Sequence, residues 1–325
     1  MANVPVSDPG SPMPVREGQT FAGSSRWVTY ANFVKLPHTV FALPFALVGV
    51  VLASYDTPVQ WTDVLWVVIA FTAARFAAMG FNRIVDREID AVNPRTRMRE
   101  IPAGVLGVRE AVASVTLASL VFIAASWMLN PLCAALSPLA LAWVFFYSYT
   151  KRFTRWSHLV LGFGLSIAPV GGYLAVQGQW SDPWWMLIAL SVAVTTWTGG
   201  FDVLYALQDA EFDRGARLHS LPAAIGEERA VGISRVLHCV SVLALALVGA
   251  ARFGSSGAGT IYAIGVLIAA GLLFYEHTLV KPNDLTKLDA AFFTMNGVIS
   301  MAFLACVVIE RLVNDPRVTL IASVK

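Results

Sequence analysis

Charge is scarce in this chain. Of its 325 residues only 14% are charged, 57% are hydrophobic, and mean hydropathy is +0.65. An ordinary soluble domain is about 25% charged, so a soluble core of this size is excluded, and disorder with it. Cysteine is sparse too. Cys133, Cys239 and Cys306 all lie in apolar runs, with no CxxC pair and no His/Cys cluster, which excludes a disulfide framework and a thiolate metal site. Residues 1–25 are rich in Pro, Gly and Ser and lack a continuous apolar stretch, so they read as a flexible tail and not a secretory signal. A net charge of +2 offers no footing for nucleic acid. What remains is a polytopic membrane protein.

A helix needs about 20 residues to cross about 30 Å of hydrocarbon. Nine such segments are predicted, at 39–56, 64–84, 111–129, 132–150, 157–176, 184–203, 234–252, 260–280 and 289–311. Continuous apolar runs, without alternation, predict helices and not a barrel. The expected fold is therefore all-α, with nine transmembrane helices around a central cavity. Its parts are a cytoplasmic tail (1–29), a membrane domain (30–313) and a C-terminal tail (314–325). Eighteen Lys and Arg residues fall on one side of these spans and four on the other, with Arg75 inside a span. That asymmetry places the first side, with the N-terminus, in the cytoplasm.

Two acidic clusters follow the second and sixth spans, each leading into a long loop of about 26 or 30 residues on the same side. Asn82, Asp86 and Asp90 are spaced i, i+4, i+8, so one helix face carries them. Asp209 and Asp213 repeat the pair, with Asp202 and Tyr205 one to two turns earlier. A carboxylate pair one turn apart suits Mg²⁺, which takes one or two carboxylates and completes its shell with phosphate oxygens. Four carboxylates alone would repel a diphosphate, so the cation must reverse the local sign. A solvated acidic helix end is the plain alternative for one cluster; two clusters at one membrane face, each followed by arginines, argue against it. Arg95, Arg99 and Lys151 are candidate phosphate contacts. Arg75, about two turns deeper than Asn82, either contacts substrate or pairs with a buried acid such as Asp202. His158 and His238 show no ligand spacing and read as ordinary polar contacts.

The two acid pairs are offset by 123 residues, and each is followed by bases and a Pro-Ala turn, at Pro102-Ala103 and Pro222-Ala223. This predicts two four-helix halves facing one cavity, plus one helix. A secondary transporter would also have repeats and a polar cavity. Transporters place charge near the midplane, whereas these acids crowd one face beside basic loops.

Asn82-x3-Asp86-x3-Asp90 with Asp202-x2-Tyr205-x3-Asp209-x3-Asp213 resembles the paired motifs of the UbiA superfamily of intramembrane aromatic prenyltransferases. The Arg95-Thr-x-x-Arg99-type loop and the Tyr147-x-x-x-Lys151-Arg152 segment are similar too, and the resemblance covers about residues 30–310. It implies a nine-span fold with a cavity open to the cytoplasm and to lipid, in the bacterial inner membrane. It implies Mg²⁺ held by Asp86, Asp90, Asp209 and Asp213, and a polyprenyl diphosphate bound by Asn82, Arg95, Arg99, Tyr147, Lys151, Tyr205 and Arg75. Arg99 and Lys151 would also stabilise the departing diphosphate. An aromatic acid acceptor, 4-hydroxybenzoate or a relative on the ubiquinone/menaquinone branch, would attack the prenyl carbon; other members use dihydroxynaphthoate, homogentisate, haem or chlorophyllide. Asp202 would accept a hydrogen bond or a proton from the acceptor's phenol. Phe41, Phe45 and Tyr173 are expected to line the tail cavity. Glu100 and His219 depart from the pattern of many 4-hydroxybenzoate enzymes, which bears on the acceptor and not on the reaction type.

Overall fold

The computed structural model describes residues 21–314 apart from 22, 24, 255–257, 281–287 and 289–293, together with 321–322. The two tail regions and the start of the ninth predicted span lie largely outside the described residues. A short helix α1 (Arg26–Phe33) precedes α2 (Pro37–Ala53), which opens on a proline at its first turn. Then follow α3 (Trp61–Val85), α4 (Arg87–Val92), α5 (Val108–Leu129), α6 (Pro131–Thr150), α7 (Ser157–Gln177) and α8 (Trp185–Tyr205). After a 3₁₀ turn (Ala206–Asp209) come α9 (Ala210–Gly215), α10 (Leu221–Ile225), α11 (Glu227–Phe253), α12 (Thr260–Leu279) and α13 (Asn296–Asn314).

Among the described residues eight helices are long and apolar enough to cross a membrane, and α2, with 17 residues, is the shorter apolar helix at the place of the first predicted span. Their ends carry ordinary caps. Asp63 accepts the Gln60 N–H at 2.8 Å to start α3, Asn130 accepts the Cys133 N–H at 2.9 Å to start α6, and Gly178 closes α7 at φ 65°. Residues 59–60 pair in parallel with 321–322.

The crossing helices pack in a ring, α2–α3–α5–α6–α7–α8–α11–α12–α13, and α13 returns to α2. The sets α2/α3/α5/α6 and α7/α8/α11/α12 correspond to the two expected halves. The broad α3–α5 and α8–α11 contacts are equivalent, and α2 crosses directly onto α7. Glycine permits that crossing. A Cβ on Gly172 would lie 2.1 Å from the Ala46 carbonyl oxygen, and one on Gly49 1.9 Å from that of Pro169.

The two sides of the ring interior are filled differently. Phe45, Trp197, Tyr262 and Phe303 fill the side toward α11–α13, with Phe45 and Trp197 ring centroids 4.7 Å apart. Toward α3, α5 and α6 lies a cavity of about 1050 Å³. Phe45 and Tyr173 therefore belong to the packed core, contrary to the expectation that they line the tail cavity; the Phe41 side chain is outside the described residues. The cavity wall is built instead by residues such as Phe71, Phe122, Leu136, Trp143, Leu165 and Ile188. On α3, Ala70, Ala74 and Ala78 continue at i+4 into Asn82 and Asp86, so one stripe is small along its depth and acidic at its rim. From Val67 to Asp86 the lined length is about 28 Å at 1.5 Å per residue.

Candidate active site

Both acidic segments break their helix at the first aspartate. α3 stops at Asp86 (φ −91°, ψ 5°), and the 3₁₀ turn after α8 stops at Asp209 (φ −101°, ψ 0°). Each aspartate then caps the short helix, α4 or α9, that carries the second acid of its pair. The sequence predicted one continuous helical face. The bridge-region backbone at Asp86 and Asp209, a conformation common in active sites, turns each pair at the rim of the cavity.

All twelve residues singled out in the sequence line this one cavity: Arg75, Asn82, Asp86, Asp90, Arg95, Arg99, Tyr147, Lys151, Asp202, Tyr205, Asp209 and Asp213. The two segments are tied by the loop after Asp90. From that loop Arg95 donates to both oxygens of Asp209, Nε to Oδ1 at 2.9 Å and Nη2 to Oδ2 at 2.5 Å, and Asn93 Nδ2 adds a contact to Oδ1 at 3.3 Å. Arg99 Nη1 donates to Asp90 Oδ1 at 2.7 Å. Arg152 Nη2 donates to Asp86 Oδ1 at 3.0 Å, and Asn82 Nδ2 to Asp86 Oδ2 at 2.8 Å. Burial pushes the Asp86 carboxyl above its ordinary range, and the adjacent Arg152 opposes that rise. Lys151 lies within electrostatic reach of both Asp86 and Asp209. Lys35, in the left-handed region at φ 48°, and Arg95 both face the Tyr205 ring, at 5.9 and 5.6 Å from its centroid.

Asp86, Asp90 and Asp209 thus meet arginines in this arrangement, and two of the four acids, Asp90 and Asp213, keep an oxygen for another partner. Asp90 Oδ2 and Asp213 Oδ2 are buried and without a hydrogen-bond partner among the described residues. An unsatisfied buried carboxylate oxygen is costly, and a cation answers it. Among the described residues no three His, Cys, Asp or Glu side chains converge into a complete metal cage. Mg²⁺ does not require one, because phosphate oxygens and water complete its shell. The donor set fits Mg²⁺ bound together with a diphosphate.

Deeper in the cavity, Arg75 Nε donates to Thr39 Oγ1 at 3.1 Å. Asp202, the partner offered for it by the sequence, bonds instead to His158, Nδ1 to Oδ2 at 2.7 Å. His158, read from the sequence as a polar contact, is fully buried and engaged at both ring nitrogens. Sequence reasoning also missed Asn93 and Arg152 as partners of the acids. Arg152 adjoins Lys151 in the basic run after α6, but nothing local distinguishes a side chain that grips an acid from one that sets topology.

The UbiA prenyltransferase family model matches residues 42–300. A 4-hydroxybenzoate octaprenyltransferase of Saccharophagus degradans is 27% identical over 291 residues, 89% of this chain and 94% of that protein. One of Aromatoleum aromaticum is 30% identical over 234 residues, 72% of this chain and 77% of the relative. The apo structure of a UbiA homolog from Aeropyrum pernix K1 superposes with a TM-score of 0.71 at 29% identity, covering 85% of this chain and 98% of that one. A UbiA homolog from Archaeoglobus fulgidus, solved bound to DMAPP and Mg²⁺, shares the fold at a TM-score of 0.68 and 18% identity, covering 88% and 99%. With this match over most of its length, and with both acidic motifs at one cavity, the chain belongs to the UbiA prenyltransferase family.

Proposed function

We propose that this membrane enzyme transfers a polyprenyl group from a polyprenyl diphosphate to an aromatic acid of the 4-hydroxybenzoate type, at the cytoplasmic face of the bacterial inner membrane, in ubiquinone or menaquinone synthesis. The observation that carries the reading is a single cavity with four carboxylates and several cations at its rim and, behind them, a wall of mostly small and apolar residues about 17 Å deep from Ala78 to Val67. The similarity to 4-hydroxybenzoate octaprenyltransferases supports the acceptor, and a structural neighbour solved with DMAPP and Mg²⁺ supports the donor.

Asp86, Asp90, Asp209 and Asp213 hold Mg²⁺, which when bound supplies the positive charge that balances a diphosphate. Arg95, Arg99 and Lys151 take phosphate oxygens, with Asn82, Tyr147 and Tyr205 completing the polar wall. The rim cations sit where negative charge accumulates as the allylic C–O bond breaks and its electron pair leaves with diphosphate. The apolar walls keep water from the prenyl cation. Arg75, a guanidinium deep in an apolar cavity, anchors the acceptor's carboxylate. Asp202 accepts the hydrogen of its phenol, raising the electron density of the adjacent ring carbon. That carbon attacks the prenyl carbon, its ring proton passes to the departed diphosphate, and the aromatic ring is restored.

Purified enzyme in proteoliposomes, given geranyl diphosphate, 4-hydroxybenzoate and Mg²⁺, is expected to form geranylated acceptor, read by mass spectrometry. Asp86→Asn or Asp209→Asn should lower the rate about a hundredfold or more. Near-normal transfer in either variant would refute the assignment of the acids, and no transfer by the native enzyme would refute the reaction.

A further inference from the structure

A fully buried histidine, His158, stands beside Asp202 and takes no part in the steps of prenyl transfer. His158 sits in the first turn of α7 and bridges two other elements. Its Nδ1 meets Asp202 Oδ2 of α8 at 2.7 Å, and its Nε2 accepts the backbone N–H of Leu221, which opens α10, at 3.3 Å. The Leu221 N–H can only donate, so Nε2 carries the lone pair and Nδ1 carries the hydrogen. The ring is thereby fixed as one tautomer, aimed at the carboxylate.

We infer that His158 is the positioning residue of Asp202, donating Nδ1–H to one carboxylate oxygen so that the other faces the acceptor's phenol as a hydrogen-bond acceptor. The inference rests on the proposed acceptor chemistry. Its physical basis is the partition of the two carboxylate oxygens. Oδ2 is committed to the imidazole, and Asp202 lines the cavity, so Oδ1 is the oxygen offered to substrate. The imidazole does not carry a proton onward, because Nε2 ends on a backbone N–H and the ring has no exposed surface. Tyr147 of α6 lies within electrostatic reach of this acid and also of Asp86 and Arg99, and Arg75 lies on the α3 wall of the same cavity. Among these, only Arg75 and Arg99 carry positive charge. The donor that meets Asp202 directly is the Nδ1–H of His158, at 2.7 Å.

The test compares acceptors. One is 4-hydroxybenzoate; the other is 3-fluoro-4-hydroxybenzoate, which keeps one free ring carbon beside the hydroxyl and is assayed at a pH where its phenol is already ionised. An ionised phenol needs no hydrogen acceptor. His158→Leu should lower kcat with 4-hydroxybenzoate about tenfold or more, lower it much less with the ionised acceptor, and leave KM for geranyl diphosphate unchanged. His158→Asn, whose amide N–H can replace Nδ1–H, should recover most of the loss. An equal fall with both acceptors, a raised KM for geranyl diphosphate, or no fall at all would overturn the inference. Nitrogen-15 spectroscopy of histidine in the native protein checks the tautomer without any variant. A protonated Nδ1 and bare Nε2 are expected for His158, and the reverse would overturn the role. Failure of the native enzyme to prenylate either acceptor would overturn the underlying reaction, and this role with it.

Discussion

The pair formed by Arg95 and Asp209 joins the two acidic segments, and its removal separates stability from function. The Asp209 side chain retains 10% of its exposure and that of Arg95 22%. Arg95→Met leaves a nearly buried carboxylate with Asn93, at 3.3 Å, as its one side-chain hydrogen bond among the described residues. Stranding one partner of a buried pair costs about 3–5 kcal/mol, and the residual exposure of Arg95 points to about 3 kcal/mol here. Asp209→Leu strands the more exposed partner, which turns toward the cavity mouth, at about 1–2 kcal/mol. The double variant removes both charges together and should lie within about 1 kcal/mol of the native protein. Unfolding in detergent micelles measures all four proteins, and the cycle should return a coupling of about 4 kcal/mol. Prenyl transfer should be lost in both single variants and should not return in the double variant. Strictly additive destabilisation would refute the pairing. Recovery of transfer with recovered stability would refute the functional use of Asp209.

Filling the small stripe of α3 should shorten the accepted tail: Ala74→Phe is expected to keep activity with geranyl diphosphate while lowering the preference for an octaprenyl donor about tenfold or more, measured in direct competition. An unchanged preference would place the tail elsewhere. Arg75→Leu should raise KM for 4-hydroxybenzoate by about tenfold to a hundredfold, the worth of one charge-assisted contact, while a neutral phenol lacking the carboxylate is used no worse than by the native enzyme; an equal loss with both acceptors contradicts the anchor. Gly172→Leu should lower the melting temperature sharply, because its Cβ would meet the Ala46 carbonyl at 2.1 Å, whereas Gly171→Ala, with nothing within 4 Å, should leave it nearly unchanged. Equal effects would show that α2 and α7 do not cross closely.

Much of this architecture is legible in periodicity and composition. Apolar runs set the helices because every backbone group in hydrocarbon must bond within its own segment. The i, i+4 aspartates were visible as pairs, and their 123-residue offset reported the two halves. Tertiary partnership was not visible. His158 and Asp202 are 44 residues apart and Arg95 and Asp209 are 114 apart, and no local signal links such residues. For the same reason Arg95 and Arg99 read as phosphate ligands, while the structure also shows the carboxylates that they neutralise. Nor does hydropathy distinguish a packed wall from an open one. Phe45 and Phe71 are equally apolar, yet one packs against Trp197 and the other faces the cavity. The helix breaks at Asp86 and Asp209 lack Gly or Pro and so left no mark in the sequence.

The central claim is that the two acid pairs bind a magnesium diphosphate jointly. Calorimetric titration of inorganic pyrophosphate into the purified protein, with and without Mg²⁺, measures this without requiring turnover. Binding is expected only with Mg²⁺, to be lost in Asp86→Asn and in Asp209→Asn, and to persist in Asp202→Asn. Equal binding without the cation, or undiminished binding in both acid variants, would contradict it.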